Sequence, residues 1–185
     1  MRRYEKEDYP VDDVRRFLEP GPVVWVSTAG PERPNVMTMG WHMVMEFTPS
    51  LVGCVIARGN YSHALLREQG DCVINLPSST LVDTVVAVGN CSGADTDKFA
   101  AFGLTAEPAE KVSAPLIAEC FVSFECRVAD DSWVDKYDMF VLEVLKAHVA
   151  PLKKMPETVH YTGSGRFQLS GRTISRRAMF QPEML

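Results

Sequence analysis

The chain alternates between short apolar, β-branched runs and short segments with helical spacing. "PVVWVST", Pro22 to Thr28, is β-branched and apolar, which predicts a strand. "AGPERPN" is a turn dense in Gly and Pro. "RPNVMTMGWHM" then starts a strand that the apolar pattern carries to about Phe47. "LVGCVIA" (Leu51 to Ala57) and "CVINLP" read as further strands. Between them "NYSHALLREQGD" is built of good helix formers, with Ser62 placed as the N-cap and Gly70 as the stop. "SSTLVDTVVAVG" and "DTDKFAAFG" predict two more helices ending at Gly89 and Gly103, and "DDVRRFLEP" a short one before Pro20. "AECFVSFECRVAD" and "KYDMFVLEVLKAHVA" predict two long strands; in the second, Met139, Val141, Glu143 and Leu145 alternate with Phe140, Leu142, Val144 and Lys146. Many strands with few helices predict a mainly β fold, a mostly antiparallel barrel with helical insertions. A doubly wound sheet would need a helix after nearly every strand.

Composition narrows the function. The 185 residues favour one domain spanning 1–185, and no repeat or linker divides them. A net charge of −5 argues against a general nucleic-acid binder. No apolar run approaches the ~18 residues of a membrane span. The N-terminal "MRRYEKEDYP" lacks the apolar core of a secretory signal, so a cytoplasmic setting is expected and the sequons at Asn60 and Asn90 carry no meaning. Five cysteines without metal-ligand spacing are expected to be reduced, mostly buried thiols. Four histidines (His42, His63, His148 and His160) make no zinc pattern, and there is no G-x-S-x-G elbow. Neither a catalytic constellation nor a metal site is therefore expected.

Three segments remain as binding candidates. "GSGRFQ", from Gly163, starts like a dinucleotide fingerprint but lacks the third Gly and a following helix, so it is set aside. "ARGNYSHALL" runs from a strand end at Ala57 through Arg58 into a helix start, where free N–H groups, the Arg58 fork and the Ser62 hydroxyl suit a phosphate. Taken alone, a plain N-cap beside a surface arginine explains it slightly better. "GNCSGADTDKF", Gly89 to Phe99, is a long polar loop with a lysine, the kind of loop that often carries function.

Taken in order, "PNVMT", "RGNYSHAL", "NLP" and "SGADTDKF" resemble the flavin reductase-like, FMN-binding split-barrel family, in its flavoredoxin and NAD(P)H:FMN oxidoreductase group. The resemblance covers roughly Pro20 to Val149. It implies an antiparallel Greek-key split barrel and a bound FMN. The ring would lie along Asn35, Val36, Met37, Thr38, Met39, Gly40 and Trp41, where Met suits a flat aromatic plate and Gly allows close backbone approach. Arg58 and Ser62 would hold the phosphate, with Ala57, Tyr61 and His63 beside them, Asn75 near the cofactor, and Ser92, Gly93 and Lys98 on the loop. Ser62 stands where many relatives have Thr. The segment "HYTGSGRFQLSGRTISRR" matches less well and carries no assignment. The implied activity is hydride transfer from NAD(P)H, a transient co-substrate, to FMN, then electron transfer to flavin, iron or a partner protein such as a monooxygenase. A homodimer is implied, with FMN near its interface. Two other readings stay open: a flavoredoxin-type carrier with little NAD(P)H activity, and a flavin-free split barrel.

Overall fold

The computed structural model describes residues 21–151, 153–179 and 181; the helix expected in "DDVRRFLEP" lies outside them. The strands are β1 (Val24–Thr28), β2 (Asn35–Met39), β3 (His42–Phe47), β4 (Ser50–Val55), β5 (Asp71–Leu76), β6 (Ala106–Glu107), β7 (Leu116–Ile117), β8 (Val122–Asp130), β9 (Met139–Val149), β10 (Val159–Gly163) and β11 (Arg166–Leu169). The helices are α1 (Tyr61–Gln69), α2 (Val82–Gly89), α3 (Lys98–Phe102) and α4 (Val134–Tyr137). Seven strands form one sheet in the order β2-β1-β5-β8-β9-β4-β3, and every pairing is antiparallel.

That order fixes the shape. β2 and β3 lie at opposite edges of the sheet, yet only Gly40 and Trp41 separate them. Three Cα steps reach at most about 11 Å. Six strand spacings in a flat sheet would put the edges about 29 Å apart. The sheet must therefore curl until its edges nearly meet, a half-open antiparallel barrel. The single strand expected from Asn35 to Phe47 is thus corrected to two. The apolar run does not stop at Met39, but the chain leaves the edge there and Trp41 offers its carbonyl to Val55 N–H at 3.0 Å.

Both faces of the sheet are covered at β1, which is why that strand is uniformly buried. Inside the curl lie Val24, Val26, Met37, Met39, Cys54, Ile56, Leu66, Cys72, Cys126, Phe140 and Leu142. Alternate residues on the other face, Trp25 and Val36, pack with Val85 and Val88 of α2, Phe99 of α3, Ile117 and Val159. Gly70 and Gly103 close α1 and α3 in the left-handed conformation, as the pattern predicted. The α1 start differs: Asn60 is the N-cap residue and Ser62 is inside the helix. The cysteines form no disulfide, and burial pushes the Cys54 thiol up to about 12. Among the described residues, no helix is long and apolar enough to cross a membrane, and no cluster of His, Cys, Asp or Glu is suited to hold a metal ion.

Beyond β9, Val159–Leu169 forms a hairpin that pairs with no strand of the large sheet. It is rooted by Val23 N–H donating to the Val159 carbonyl at 2.7 Å and by the burial of Val159. The "GSG" set aside as a nucleotide motif is its turn: Gly163, Ser164 and Gly165 all have positive φ.

A second anchor is buried in β8. Glu125 is fully buried and accepts hydrogen bonds from His148 Nε2 (2.6 Å), Glu110 N–H (3.1 Å) and Lys111 N–H (2.5 Å), tying the loop before β7 to the sheet. Burial pushes its carboxyl pKa up, but these hydrogen bonds outweigh burial and hold it below the usual range. A carboxyl pKa lowered by folding adds stability above its unfolded pKa, and that stability is lost as pH falls through the folded value. We expect urea unfolding to show this loss on acidification. Glu125→Gln should remove that pH dependence and cost about 1.5–3 kcal/mol at neutral pH. Equal stability of the variant and the parent at pH 7 would contradict the anchor.

Candidate functional site

β2 is an edge strand, and α1, α2 and the loop before α3 converge on it. At its Asn35 end lies a polar cavity of about 190 Å³. Its walls include Asn35, Met37, Tyr61, Ser62, Ser92, Gly93 and Lys98, together with Gly59, Asn60, Gly89, Asn90 and Cys91. At the Gly40 end lies a larger cavity of about 460 Å³, walled by Thr38, Gly40, Trp41, Val85, Val86 and the β10–β11 hairpin, among others. Gly89 and Asn90 line both, so the two form one cleft along β2.

The polar end gathers hydrogen-bond donors without a countercharge among the described residues. Lys98 is only 5% exposed, and no carboxylate among the described residues pairs with it. Its ammonium donates one hydrogen bond, to the Val88 carbonyl at 2.9 Å, and has two further donors. Burial lowers its pKa. Across the cavity, α1 begins without a side-chain cap, because the Asn60 amide donates instead to the Ala57 carbonyl at 3.2 Å. The first N–H groups of this nine-residue helix thus keep their attraction for negative charge. The Ser62 hydroxyl accepts from Asn35 Nδ2 at 2.8 Å, which leaves its own proton to donate.

Asn35 supplies the complementary feature. Its Oδ1 is buried with no hydrogen-bond partner. A buried acceptor left unpaired costs about 1–3 kcal/mol, so it is suited to meet a donor from a guest. Gly93 lies against it: a Cβ there would sit 1.8 Å from Asn35 Oδ1, so the cavity floor tolerates no side chain at that position. Ser92 caps its own loop, accepting from Ala94 N–H at 3.2 Å.

The structure thus gathers Asn35, Met37, Tyr61, Ser62, Ser92, Gly93 and Lys98 at one end of the cleft, and Thr38, Gly40 and Trp41 at the other. Other expected site residues lie elsewhere. Val36 and Met39 put their side chains into the two cores, and Ala57 serves the turn into α1. Asn75 is corrected to a structural role. Its Nδ2 donates to Ser27 Oγ (3.0 Å) and the Val73 carbonyl (3.1 Å), and its Oδ1 accepts from Ile117 N–H (3.1 Å) and Ser123 Oγ (2.7 Å), so it has no free capacity. His63 packs edge-on against Phe140, with Nε2 3.7 Å from Asp138 Oδ1, and burial lowers its pKa. Arg58 does not wall the cavity either. Its guanidinium binds Asp138 Oδ1 at 2.8 Å and the carbonyls of Val134 and Asp135, bracing the loop beside Gly59. The nearby α4 and its acidic neighbour Asp138 had no signal in the sequence beyond four residues of mixed polarity. The hairpin residues Tyr161, Gly165 and Phe167 were also missed; alternation on either side of "GSG" was the available signal.

A curled antiparallel sheet with a cleft along one edge strand defines a split barrel. The chain belongs to the flavin reductase-like family: the "Flavin reductase like domain" matches residues 15–169. It is 36% identical over 121 residues to an uncharacterized protein of Archaeoglobus fulgidus, covering 65% of this chain and 68% of that one. Among solved structures it is similar to the flavoredoxin of Methanosarcina acetivorans, with a TM-score of 0.81, 20% identity, and 98% and 100% of the two chains covered. It is also similar to the FMN-binding domain of a flavin reductase-like enzyme of Shewanella baltica OS155, with a TM-score of 0.75, 24% identity, and 90% and 95% covered. At these identities the structural likeness speaks to the fold, the FMN-binding split barrel.

Proposed function

We propose that this chain binds FMN in the cleft along β2, takes hydride from NAD(P)H there, and passes the electrons to a flavin, an iron complex or a partner protein. The observation that carries the reading is Lys98, a buried ammonium without a carboxylate partner among the described residues. It stands beside a donor hydroxyl, an uncapped helix start and the unpaired Asn35 Oδ1. A phosphate answers the cation and the helix, and a ribityl hydroxyl answers Asn35. The apolar cavity at Gly40 and Trp41 suits a flat ring. One phosphate cradle fits FMN better than FAD. Bound FMN supplies the hydride and electron chemistry.

The protein's part is positioning. Lys98 and Ser62 hold the phosphate, Asn35 orients the ribityl chain, and the apolar walls keep water from the ring. Among the described residues, the Gly40 end of the cleft is lined by no Asp, Glu, His, Lys or Arg, in keeping with a reaction that needs no side-chain acid or base. His42, the nearest candidate in sequence, is tied to the Pro22 carbonyl at 2.7 Å. Arg58 is held by Asp138 through Nε and by two carbonyls through Nη2. A flavoredoxin-type carrier is the second reading, favoured by the match to the Methanosarcina flavoredoxin over 98% of the chain. NADH and NADPH oxidation assays with the FMN-loaded protein separate the two.

A second copy of this chain fits the opposite edge of the sheet. On β3, Met43, Val44, Met45 and Phe47 are exposed, Phe47 by 84%, and Trp41 continues this surface to the cleft. Exposed apolar strands of this kind mark interfaces or aggregation sites. The proposed homodimer buries them beside the cofactor.

Extraction of the cofactor followed by chromatography should give FMN; FAD as the main species would overturn the reading. Lys98→Gln and Ser62→Ala should each weaken FMN about tenfold to a hundredfold, and change riboflavin, which lacks the phosphate, by less than about threefold. Equal losses for both ligands would remove the phosphate from this end. FMN affinity should fall as pH rises through the lowered pKa of Lys98, and Lys98→Gln should abolish that fall. A loss for Arg58→Ala as large as that for Lys98→Gln would show that Arg58 also holds the phosphate. Light scattering should give about twice the chain's 20.6 kDa; a monomer at micromolar concentration would contradict the dimer.

A further inference from the structure

Strands β3, β4 and β9 bring three methionines to one point on the outer face of the sheet. Gly53 of β4 has Met43 of β3 as its register partner on one side and Val141 of β9 on the other. Cys54, next in the chain, lies inside the barrel, so Gly53 faces outward. A Cβ on Gly53 would sit 2.9 Å from Met45 Sδ, 3.0 Å from Met139 Cε and 3.3 Å from Met43 Cε. The ends of the three side chains thus meet over the one residue that leaves them room. Gly53 is buried beneath them, yet Met43 and Met45 are 53% and 45% exposed, so this is not a sealed core. Met139 also borders an open cavity of about 550 Å³ with Trp133, Lys136 and Tyr137, which gives the point a second side of access.

Leucine or valine would cover a bare glycine as well. Methionine adds a thioether sulfur, neutral and polarizable, on a chain of three rotatable bonds. In Met43 and Met139 the methyl lies nearest the meeting point, and rotation about the last bonds exchanges methyl for sulfur. Three soft, uncharged donors at one place suit a soft monovalent cation such as Cu(I) or its analogue Ag(I). They offer little to Ca²⁺ or Mg²⁺, which take oxygen ligands, or to Zn²⁺, which takes thiolate, imidazole and carboxylate.

We propose that Met43, Met45 and Met139 form a binding site for a soft monovalent metal ion of the Cu(I) class, floored by Gly53. The site is separate from the cleft along β2, which none of the three methionines beyond that strand lines. Binding changes no oxidation state and needs no co-reactant. All three sulfurs come from one chain, so the site forms once per chain, and the second copy proposed for β3 covers it rather than completing it.

The test is a titration of the full chain, carrying isotope-labelled methionine methyls, with Ag(I), followed by NMR. The methyl resonances of Met43, Met45 and Met139 should shift together and saturate. Met155 and Met179, exposed methionines outside the cluster, should not follow them. Met37 and Met39 share the inner core with Cys54, Cys72 and Cys126, and so report any capture of silver by those thiols. Zn²⁺ at the same concentrations should move none of the three. Met43→Leu and Met139→Leu keep side-chain volume and should each weaken the saturation of the remaining methyls by at least about tenfold; either variant decides the matter if the other does not fold. Shifts at Met155 and Met179 as large as those of the cluster, shifts confined to Met37 and Met39, an equal response to Zn²⁺, or unchanged saturation in a folded Leu variant would each overturn the site. None of these results bears on the FMN reading.

Discussion

The fold depends on a short tether. Gly40 and Trp41 join the two outermost strands of a seven-stranded sheet, and two residues cannot span a flat sheet of that width. Curling follows, and with it a barrel interior for Val24, Val26, Met37 and Phe140. The same tether places a glycine and a tryptophan where the edges approach, at the apolar end of the cleft. The break in the strand and the apolar end of the cleft are thus one feature.

Because β2 is an edge, its surroundings are supplied by helices and loops rather than by another strand. That brings α1's uncapped start, the loop at Gly93 and the Lys98 ammonium to one place. Each of these is unfavourable without a guest: a cation buried without a carboxylate partner among the described residues, an acceptor without a donor, and helix N–H groups without a cap. A fold tolerates such groups where a ligand completes them. Contrast Asn75 and Glu125, equally buried and fully satisfied by the protein itself. Trp25 Nε1 and His63 Nε2 are also buried without a partner, so it is the gathering of such groups beside Lys98, not one of them alone, that marks the cleft.

Much of this was legible in the sequence because local signals agreed with the fold. β1 reads as a continuous apolar run because both its faces are covered, and Gly70 and Gly103 stop helices where the pattern put them. The β2–β3 break was hidden because the apolar run continues across Gly40, and only the pairing order reveals the change of edge. The motif residues around Ser62, Gly93 and Lys98 do meet, whereas Arg58 and Asn75 sit in the same motifs and turn elsewhere. Motif spacing does not show which way a side chain points: Arg58 is drawn off by Asp138, 80 positions away in the chain. The hairpin wall is hard to read from sequence because "GSG" resembles the start of a phosphate loop as closely as a turn between two strands.

The central claim is that the buried ammonium of Lys98 faces a phosphate. Phosphorus NMR of the FMN-loaded protein tests it most directly. The account predicts a bound resonance that stays that of the dianion as pH is lowered through about 6, where the free monoester takes up a proton, and that recovers this titration in Lys98→Gln. A bound phosphate in the parent protein that titrates like free FMN would contradict it.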